Sequence, residues 1–259
     1  MNIYQVDAFN NELFKGNPAA VIPLDNWISD ELMQNIAEEN NLSETVFFVK
    51  KNNLFEIRWF TPSCEIDLCG HATLAAAHII YTELDFYEKE IVFSSKSGEL
   101  KVSKQNDWYT LNFPAENIQE IEVLEKLESA LGVKIQKLFK GKWKGVVVVK
   151  NEDILKNLKP NFSLLSEVEF NGVIVTAKGY EVDFVSRFFA PKIGINEDPV
   201  TGSAHTLLIP FWSEKLNKIN LDAKQISKRE GILKCKYLGN RVEMSGQAKT
   251  YLKGKLTIN

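Results

Sequence analysis

Alternation of apolar and polar residues predicts a chain made mostly of short strands. The expected strands cover positions 3–9, 18–23, 45–49, 54–60, 90–93, 99–102 and 108–113, and then 145–149, 172–177, 181–189, 232–237, 241–245 and 255–258. Between the second and third strands, Ser29 is a good helix N-cap. It precedes an apolar stripe at helical spacing, formed by Leu32, Met33, Ile36 and Ala37. Shorter helices are expected at 123–131 and 153–158. The pattern therefore indicates a mixed α+β protein.

Two further segments are apolar on nearly every side, at positions 72–80 and 204–212. Alanine in the first favours a helix, and a helix that is apolar all round is buried. We expect each helix to be enclosed by strands. Pro210 lies too deep in the second helix for the first turn, so a kink is expected there.

The chain repeats one pattern in its two halves. Arg58-Trp-Phe-Thr-Pro leads to Gly70-His-Ala, and Arg187-Phe-Phe-Ala-Pro leads to Gly202-Ser-Ala, with the two arginines 129 residues apart in a chain of 259. The repeat predicts two homologous α+β units with an active site in the cleft between them. We place the N-terminal half at 1–115 and the C-terminal half at 116–259, with a possible strand crossover near the ends.

Composition and charge reduce the number of function classes that fit the chain. A net charge of −3 gives no basic surface for nucleic acid or membrane. The lysine-rich run from Lys140 to Lys144 is expected to be a solvated loop or strand edge. Three cysteines indicate reduced thiols, and the sequence has neither a signal-peptide pattern at its N-terminus nor an apolar run of membrane length. The interpretation is a cytoplasmic protein without a nucleic-acid or membrane partner.

Gly70 and Gly202 stand where the two apolar helices are expected to begin. A helix N-terminus presents unpaired backbone N–H groups and a partial positive charge, so it binds carboxylates, and glycine allows close approach. Two such helix ends facing one cleft can hold a carboxylate and stabilise an enolate. The alternative is that both glycines are only turn residues.

Several motifs match a known family. The segments are Val6-Asp-Ala-Phe, Gly16-Asn-Pro-Ala-Ala-Val, Asn41-Leu-Ser-Glu-Thr, Gly70-His-Ala-Thr and Asp198-Pro-Val-Thr-Gly-Ser-Ala. Together they resemble the phenazine-biosynthesis isomerases of PhzF type, from end to end of the chain. The resemblance is specific for the family and much less so for the substrate.

The resemblance implies the diaminopimelate-epimerase-like fold, two pseudo-symmetric halves in which a strongly curved sheet wraps round a central helix. It implies Glu44 as the acid/base that moves a proton between carbons of a small carboxylate-bearing substrate, with a cyclic amino acid as one candidate. It implies no cofactor and a homodimer. The family's binding residues carry over to His71, Asp198 and Ser203, beside the two glycines.

The residues alone leave alternatives open. Glu44 lies just before an apolar strand, where burial suits a carboxylate that takes and returns a proton. Asp198 and Ser203 also suit helix caps, and His71 suits a first-turn residue. The related racemases use one cysteine from each half; Cys69 fits the first position, but the second holds Thr201, so a racemase is less favoured.

The alternative hypothesis is that the protein is a non-catalytic relative, which binds a small carboxylate or a protein. The three histidines lack zinc-ligand spacing with one another, and no phosphate-binding loop is present. We therefore expect neither a metal nor a nucleotide cofactor.

Overall fold

The computed structural model of the protein describes residues 1–258. The chain divides into two compact units. The first comprises Met1–Asn112 and the stretch from Met244 onward, and the second comprises Phe113–Glu243. The final strand of the chain thus belongs to the first unit. Within the described range, no helix is long and apolar enough to span a membrane.

The elements follow one another mostly as the pattern predicts. From the start of the chain they are β1 (Asn2–Ala8), β2 (Asn17–Leu24), α1 (Asp30–Asn40), β3 (Glu44–Lys51), β4 (Leu54–Phe60), β5 (Glu65–Ile66), α2 (Gly70–Glu83), β6 (Glu90–Ser95), β7 (Gly98–Gln105) and β8 (Trp108–Pro114). They continue with β9 (Gln119–Ile121), α3 (Glu125–Leu131), β10 (Lys137–Lys140), β11 (Lys144–Val148), α4 (Glu152–Lys156), α5 (Phe162–Ser166), β12 (Gly172–Lys178), β13 (Phe184–Ala190), a 3-10 turn (Pro191–Ile193), β14 (Ile195–Asp198), α6 (Gly202–Leu216), β15 (Asn220–Gln225), β16 (Gly231–Tyr237), β17 (Arg241–Gly246) and β18 (Ala248–Lys255).

Strand pairing is the same in the two units. In the first, β2 runs parallel to β3, β3 antiparallel to β4, and β4 pairs antiparallel with β5 and parallel with β6, which returns as β7. In the second, these five relations recur in the same order among the six strands β11, β12, β13, β14, β15 and β16. The internal duplication predicted from the two arginine motifs is therefore confirmed at the level of topology.

A buried helix occupies the same position in the order of elements of each unit. It follows the short strand, β5 or β14, and precedes the next parallel strand, β6 or β15. Helix α2 packs against β1, β2 and β3, and α6 packs against β15 and β16. Most residues of both helices are buried, so each lies in the interior of its unit. Their first helical residues are Gly70 and Gly202, as predicted. Pro210 lies inside α6 and is buried, while the kink expected there stays a prediction.

The repeated arginines explain why the two halves share a motif. Arg58 on β4 makes a two-bonded ion pair with Glu65 on β5, at 2.8 and 2.9 Å. Arg187 on β13 makes the same pair with Glu197 on β14, at 2.7 and 2.9 Å. Hydrogen bonding to Arg58 lowers the pKa of Glu65 to about 2. We call each of these arginine–glutamate pairs a clamp. Each clamp fixes the short strand that leads into a central helix, and a planar guanidinium is needed for this geometry.

Helix α1 follows the local rules. The Ser29 hydroxyl accepts from the Leu32 amide at 3.2 Å, which confirms the predicted cap. Met33, Ile36 and Ala37 form the buried face. Asn41 ends the helix in the left-handed conformation, with φ 47°.

Some elements were predicted wrongly or missed. The last strand, expected at 255–258, is β18 at Ala248–Lys255, where it pairs with β1. Its residues are mostly exposed, so no apolar alternation marks it in the sequence. The short strands β9, β10 and β14 and the strand β15 were also missed. Strand β15 alternates buried and exposed residues, but its buried side chains include the polar Gln225, and so apolar alternation marks it weakly in the sequence.

We expect the clamp in the second unit to contribute about 2 kcal/mol to the free energy of unfolding. Arg187→Met removes it together with two hydrogen bonds to the carbonyls of Leu155 and Leu158. A double-mutant cycle with Glu197→Gln, followed by urea unfolding, measures the coupling. As a control, Lys126→Met at the exposed pair with Glu167 should change stability by less than about 0.5 kcal/mol. Equal effects at the two sites would contradict the assignment.

Candidate functional site

In the first unit, Glu44 and His71 meet at the N-terminal end of α2. Glu44 is the first residue of β3 and His71 lies in the first turn of the helix. Glu44 Oε2 lies 2.9 Å from His71 Nε2, and the two side chains are only 11% and 5% exposed. The structure thus brings together Glu44, Gly70 and His71, three of the predicted site residues.

The other ring nitrogen of His71 faces polar groups as well. Nδ1 lies 3.2 Å from Asn17 Nδ2 and 3.5 Å from Cys69 Sγ. Burial disfavours the charged imidazole, but the neighbouring Cys69 and Glu44 more than offset this and hold the pKa of His71 well above its usual value. Burial raises the pKa of the Cys69 thiol. The carboxylate of Glu44, the imidazole of His71 and the thiol of Cys69 therefore form one buried cluster.

In the second unit, Asp198 ends β14 and lies ahead of α6. Its Oδ2 accepts from the hydroxyl of Thr201 at 2.5 Å, and its carbonyl accepts from Gln225 Nε2 at 2.8 Å. Gln225 Oε1 in turn accepts from the amide of Thr201 at 2.9 Å. The helix cap is Thr201, and not Asp198 or Ser203 as the sequence also allowed. Buried Gln225 therefore holds this turn in place. The residues around it in the sequence are polar and did not indicate this role.

Ser203 and Lys144 meet at the first turn of α6. Ser203 is exposed, while Lys144 is 1% exposed and donates from Nζ to the Ser203 carbonyl at 2.8 Å. Glu116 lies 3.8 Å from the same ammonium. Burial lowers the pKa of Lys144 to about 8.

The expectation of a solvated lysine run is therefore wrong at Lys144, although Lys140 and Lys142 are exposed. Its partner is 59 residues further along the chain, so neighbouring residues could not reveal its burial. The one local signal is its position beside the glycine and valines that open a buried strand.

A cavity of about 580 Å³ in the first unit lies elsewhere, lined by residues that include His78, Lys104, Tyr109 and Thr250. His78 bonds Tyr109 and Thr250 with its two nitrogens, at 2.9 Å each. Burial, with nearby lysines, lowers its pKa to about 4. None of the predicted site residues lines this cavity.

Comparisons with known proteins agree on one family. The family model described as phenazine biosynthesis-like protein matches residues 6–254. An uncharacterized isomerase of Pseudomonas aeruginosa is 46% identical, covering 100% of this chain and 99% of that protein. An uncharacterized isomerase of Halalkalibacterium halodurans is 48% identical, covering 99% of this chain and 98% of the other.

Solved structures give the fold. A PhzF-family phenazine biosynthesis protein of Enterococcus faecalis is 48% identical, with a TM-score of 0.98 over 99% of both chains. A hydroxyproline epimerase of Agrobacterium vitis is 11% identical with a TM-score of 0.64, covering 98% of this chain and 91% of that one, and shows the fold alone. The predicted α+β, diaminopimelate-epimerase-like fold is thus confirmed.

His205 gives a pH-dependent prediction for the second unit. It is fully buried, its Nδ1 lies 2.8 Å from the Thr201 carbonyl, and burial lowers its pKa to about 4 from 6.5. Below about pH 6.5 this histidine is protonated in the unfolded chain but stays neutral in the folded chain. The free energy of unfolding therefore decreases as the pH falls from about 6.5 to about 4.

His205 should contribute about 3 kcal/mol of this loss, as measured by the difference between wild type and variant in urea unfolding at several pH values. His205→Asn keeps a donor but does not titrate, so it should flatten this part of the profile, with His78 unchanged in both proteins. Parallel profiles for wild type and variant would contradict the prediction.

Proposed function

Because this chain belongs to the phenazine biosynthesis-like family, we propose that it is an isomerase that moves a proton between carbons of a small carboxylate-bearing substrate, without a cofactor. The observation that carries the proposal is the buried Glu44 carboxylate, 2.9 Å from His71 at the start of α2. The names of the relatives, uncharacterized isomerases, support the reaction class. The resemblance also suggests a cyclic amino acid as substrate and a homodimer, and both belong to the proposal.

Glu44 acts as the acid and base. Its carboxylate takes a proton from a substrate carbon, the electron pair moves into the substrate's conjugated system, and the same group returns the proton to a second carbon. Few waters compete for the proton, because Glu44 is 9% exposed. His71 keeps a positive charge beside the carboxylate. The geometry therefore suits a one-base shuttle.

Helix ends hold the substrate's negative charge. The first backbone N–H groups of a helix lack intrahelical partners, and they favour a carboxylate or an enolate. In the first unit these groups belong to the turn of Gly70 and His71. In the second, Gly202 and exposed Ser203 offer the same device, and Asp198 supplies a fixed polar group beside it. We assign these five residues to substrate binding.

The racemase alternative needs a thiol from each unit. Cys69 is the N-cap of α2 and Thr201 is the N-cap of α6, so the two residues occupy equivalent positions. A hydroxyl cannot replace a thiolate at neutral pH. This difference favours the glutamate mechanism over the two-thiol mechanism.

Glu44→Gln should abolish proton exchange while leaving the fold intact, because the substitution is nearly isosteric and removes the base. Small cyclic and amino carboxylic acids are screened in D₂O by NMR for exchange at carbon. We expect a loss of at least about 10²–10⁴-fold for any ligand that the wild type labels.

The control is Glu31→Gln on α1, an exposed glutamate that should leave exchange unchanged. Near wild-type labelling by Glu44→Gln would move the base to another residue. Binding without exchange in the wild type would instead support a non-catalytic carboxylate-binding relative.

Cys69→Ala should keep activity within about tenfold of the wild type, because Thr201 cannot complete a pair of thiols. The same exchange assay checks this. An inactive Cys69→Ala, together with substrate protection of the wild type against thiol alkylation, would revive the racemase mechanism.

A further inference from the structure

Three metal-binding side chains converge in the first unit. Glu44, Cys69 and His71 each offer one ligand atom, and these atoms lie within 4.8 Å of one another. In the part of the chain that the structure describes, this is the one group of three or more such side chains found. All three are buried, and their elements are fixed: the start of β3, the cap of α2 and its first turn.

We propose that Glu44, Cys69 and His71 form a binding site for one Zn²⁺ ion. Thiolate, imidazole and carboxylate are the three ligand types of protein zinc sites, and three protein ligands leave a fourth position open. A thiolate disfavours Mg²⁺ and Ca²⁺, which take oxygen ligands. Spacing among the histidines could not reveal this set, because it contains only one of them.

The distance between the cysteine and histidine ligand atoms suits this ion. With Zn–S of about 2.3 Å and Zn–N of about 2.0 Å, a tetrahedral angle places sulfur and nitrogen about 3.5 Å apart. Cys69 Sγ and His71 Nδ1 are 3.5 Å apart. Glu44 lies against the other ring nitrogen, Nε2, at 2.9 Å, so its side chain must rotate to reach an ion bound at Nδ1, and the Asn17 amide, 3.2 Å from Nδ1, must move aside.

Two polar atoms of the site also lack good hydrogen bonds. Glu44 Oε2 and His71 Nε2 lie 2.9 Å apart, but neither makes a hydrogen bond of acceptable angle with a protein group. Buried polar atoms usually have such partners. Coordination by the carboxylate would therefore give Glu44 Oε2 a partner that the protein does not supply.

Charge balance favours the complex in a buried position. The ion displaces two protons to solvent, the thiol proton of Cys69 and the extra ring proton of His71, which then binds as the neutral imidazole. Thiolate and carboxylate then carry two negative charges against the two positive charges of the ion. A neutral complex avoids the large cost of an unpaired buried charge.

Zinc would also occupy the Glu44 carboxylate and so block proton transfer. This consequence rests on the proposed function, whereas the binding test does not. Removal of metal with a chelator should then raise exchange activity in the wild type.

Co²⁺ is the probe, because its thiolate complexes absorb in the near ultraviolet and its four-coordinate complexes absorb strongly in the visible. Titration of the full chain under reducing, anaerobic conditions should give a thiolate-to-cobalt band that saturates at one equivalent. Added Zn²⁺ should displace the cobalt and remove the band. Absence of the band at saturating Co²⁺ would overturn the proposal.

The three cysteines provide matched controls. Cys69→Ser should remove the band and weaken Zn²⁺ binding by at least about 100-fold, while Cys64→Ser, at the exposed cysteine, should change neither. Glu44→Gln should keep the band and weaken binding by about tenfold. A band that survives Cys69→Ser and disappears in Cys64→Ser or Cys235→Ser would place the metal elsewhere.

X-ray absorption on the zinc-loaded wild type keeps the test decisive even where Cys69→Ser fails to fold. We expect one sulfur and the remaining ligands nitrogen or oxygen. A shell of nitrogen and oxygen alone would contradict the site.

Discussion

Each unit depends on burying the N-terminal end of a helix. The first N–H groups of α2 and α6 have no partners within the helix, and a buried polar group without a partner is costly. Polar side chains lie around each helix start. In the first unit these are Glu44 and His71, and in the second Gln225, whose Oε1 accepts from the amide of Thr201. In the first unit, the polar groups at the helix start are also those proposed for proton transfer.

Duplication separates what the scaffold needs from what the reaction needs. Arg58 and Arg187 make the same clamp in both units, so the arginine motif is retained for geometry. The cap positions differ, with Cys69 in one unit and Thr201 in the other. The arginine pairs that agree between the copies therefore indicate structure, and the cap residues that differ indicate a division of roles.

The sequence predicted what depends on local pattern or on repetition. Both central helices, the Ser29 cap and the hairpin of β3 and β4 follow from spacing and propensity. It could not predict Lys144, whose burial depends on a carbonyl far along the chain, or β18, which is defined by pairing with β1. Convergence of Cys69 with Glu44 was missed as well, since it depends on where a strand begins relative to a helix cap.

The histidines show how the surroundings decide proton chemistry. His71 and His205 both lie in the first turns of the central helices and are buried, so burial alone would lower the pKa of each. His205 faces a backbone carbonyl, and its pKa falls to about 4. His71 faces a carboxylate and a thiol, and its pKa rises. An imidazole that holds its proton beside Glu44 keeps that carboxylate in place, whereas a neutral histidine in α6 serves packing. The difference supports the proposal that proton transfer takes place in the first unit.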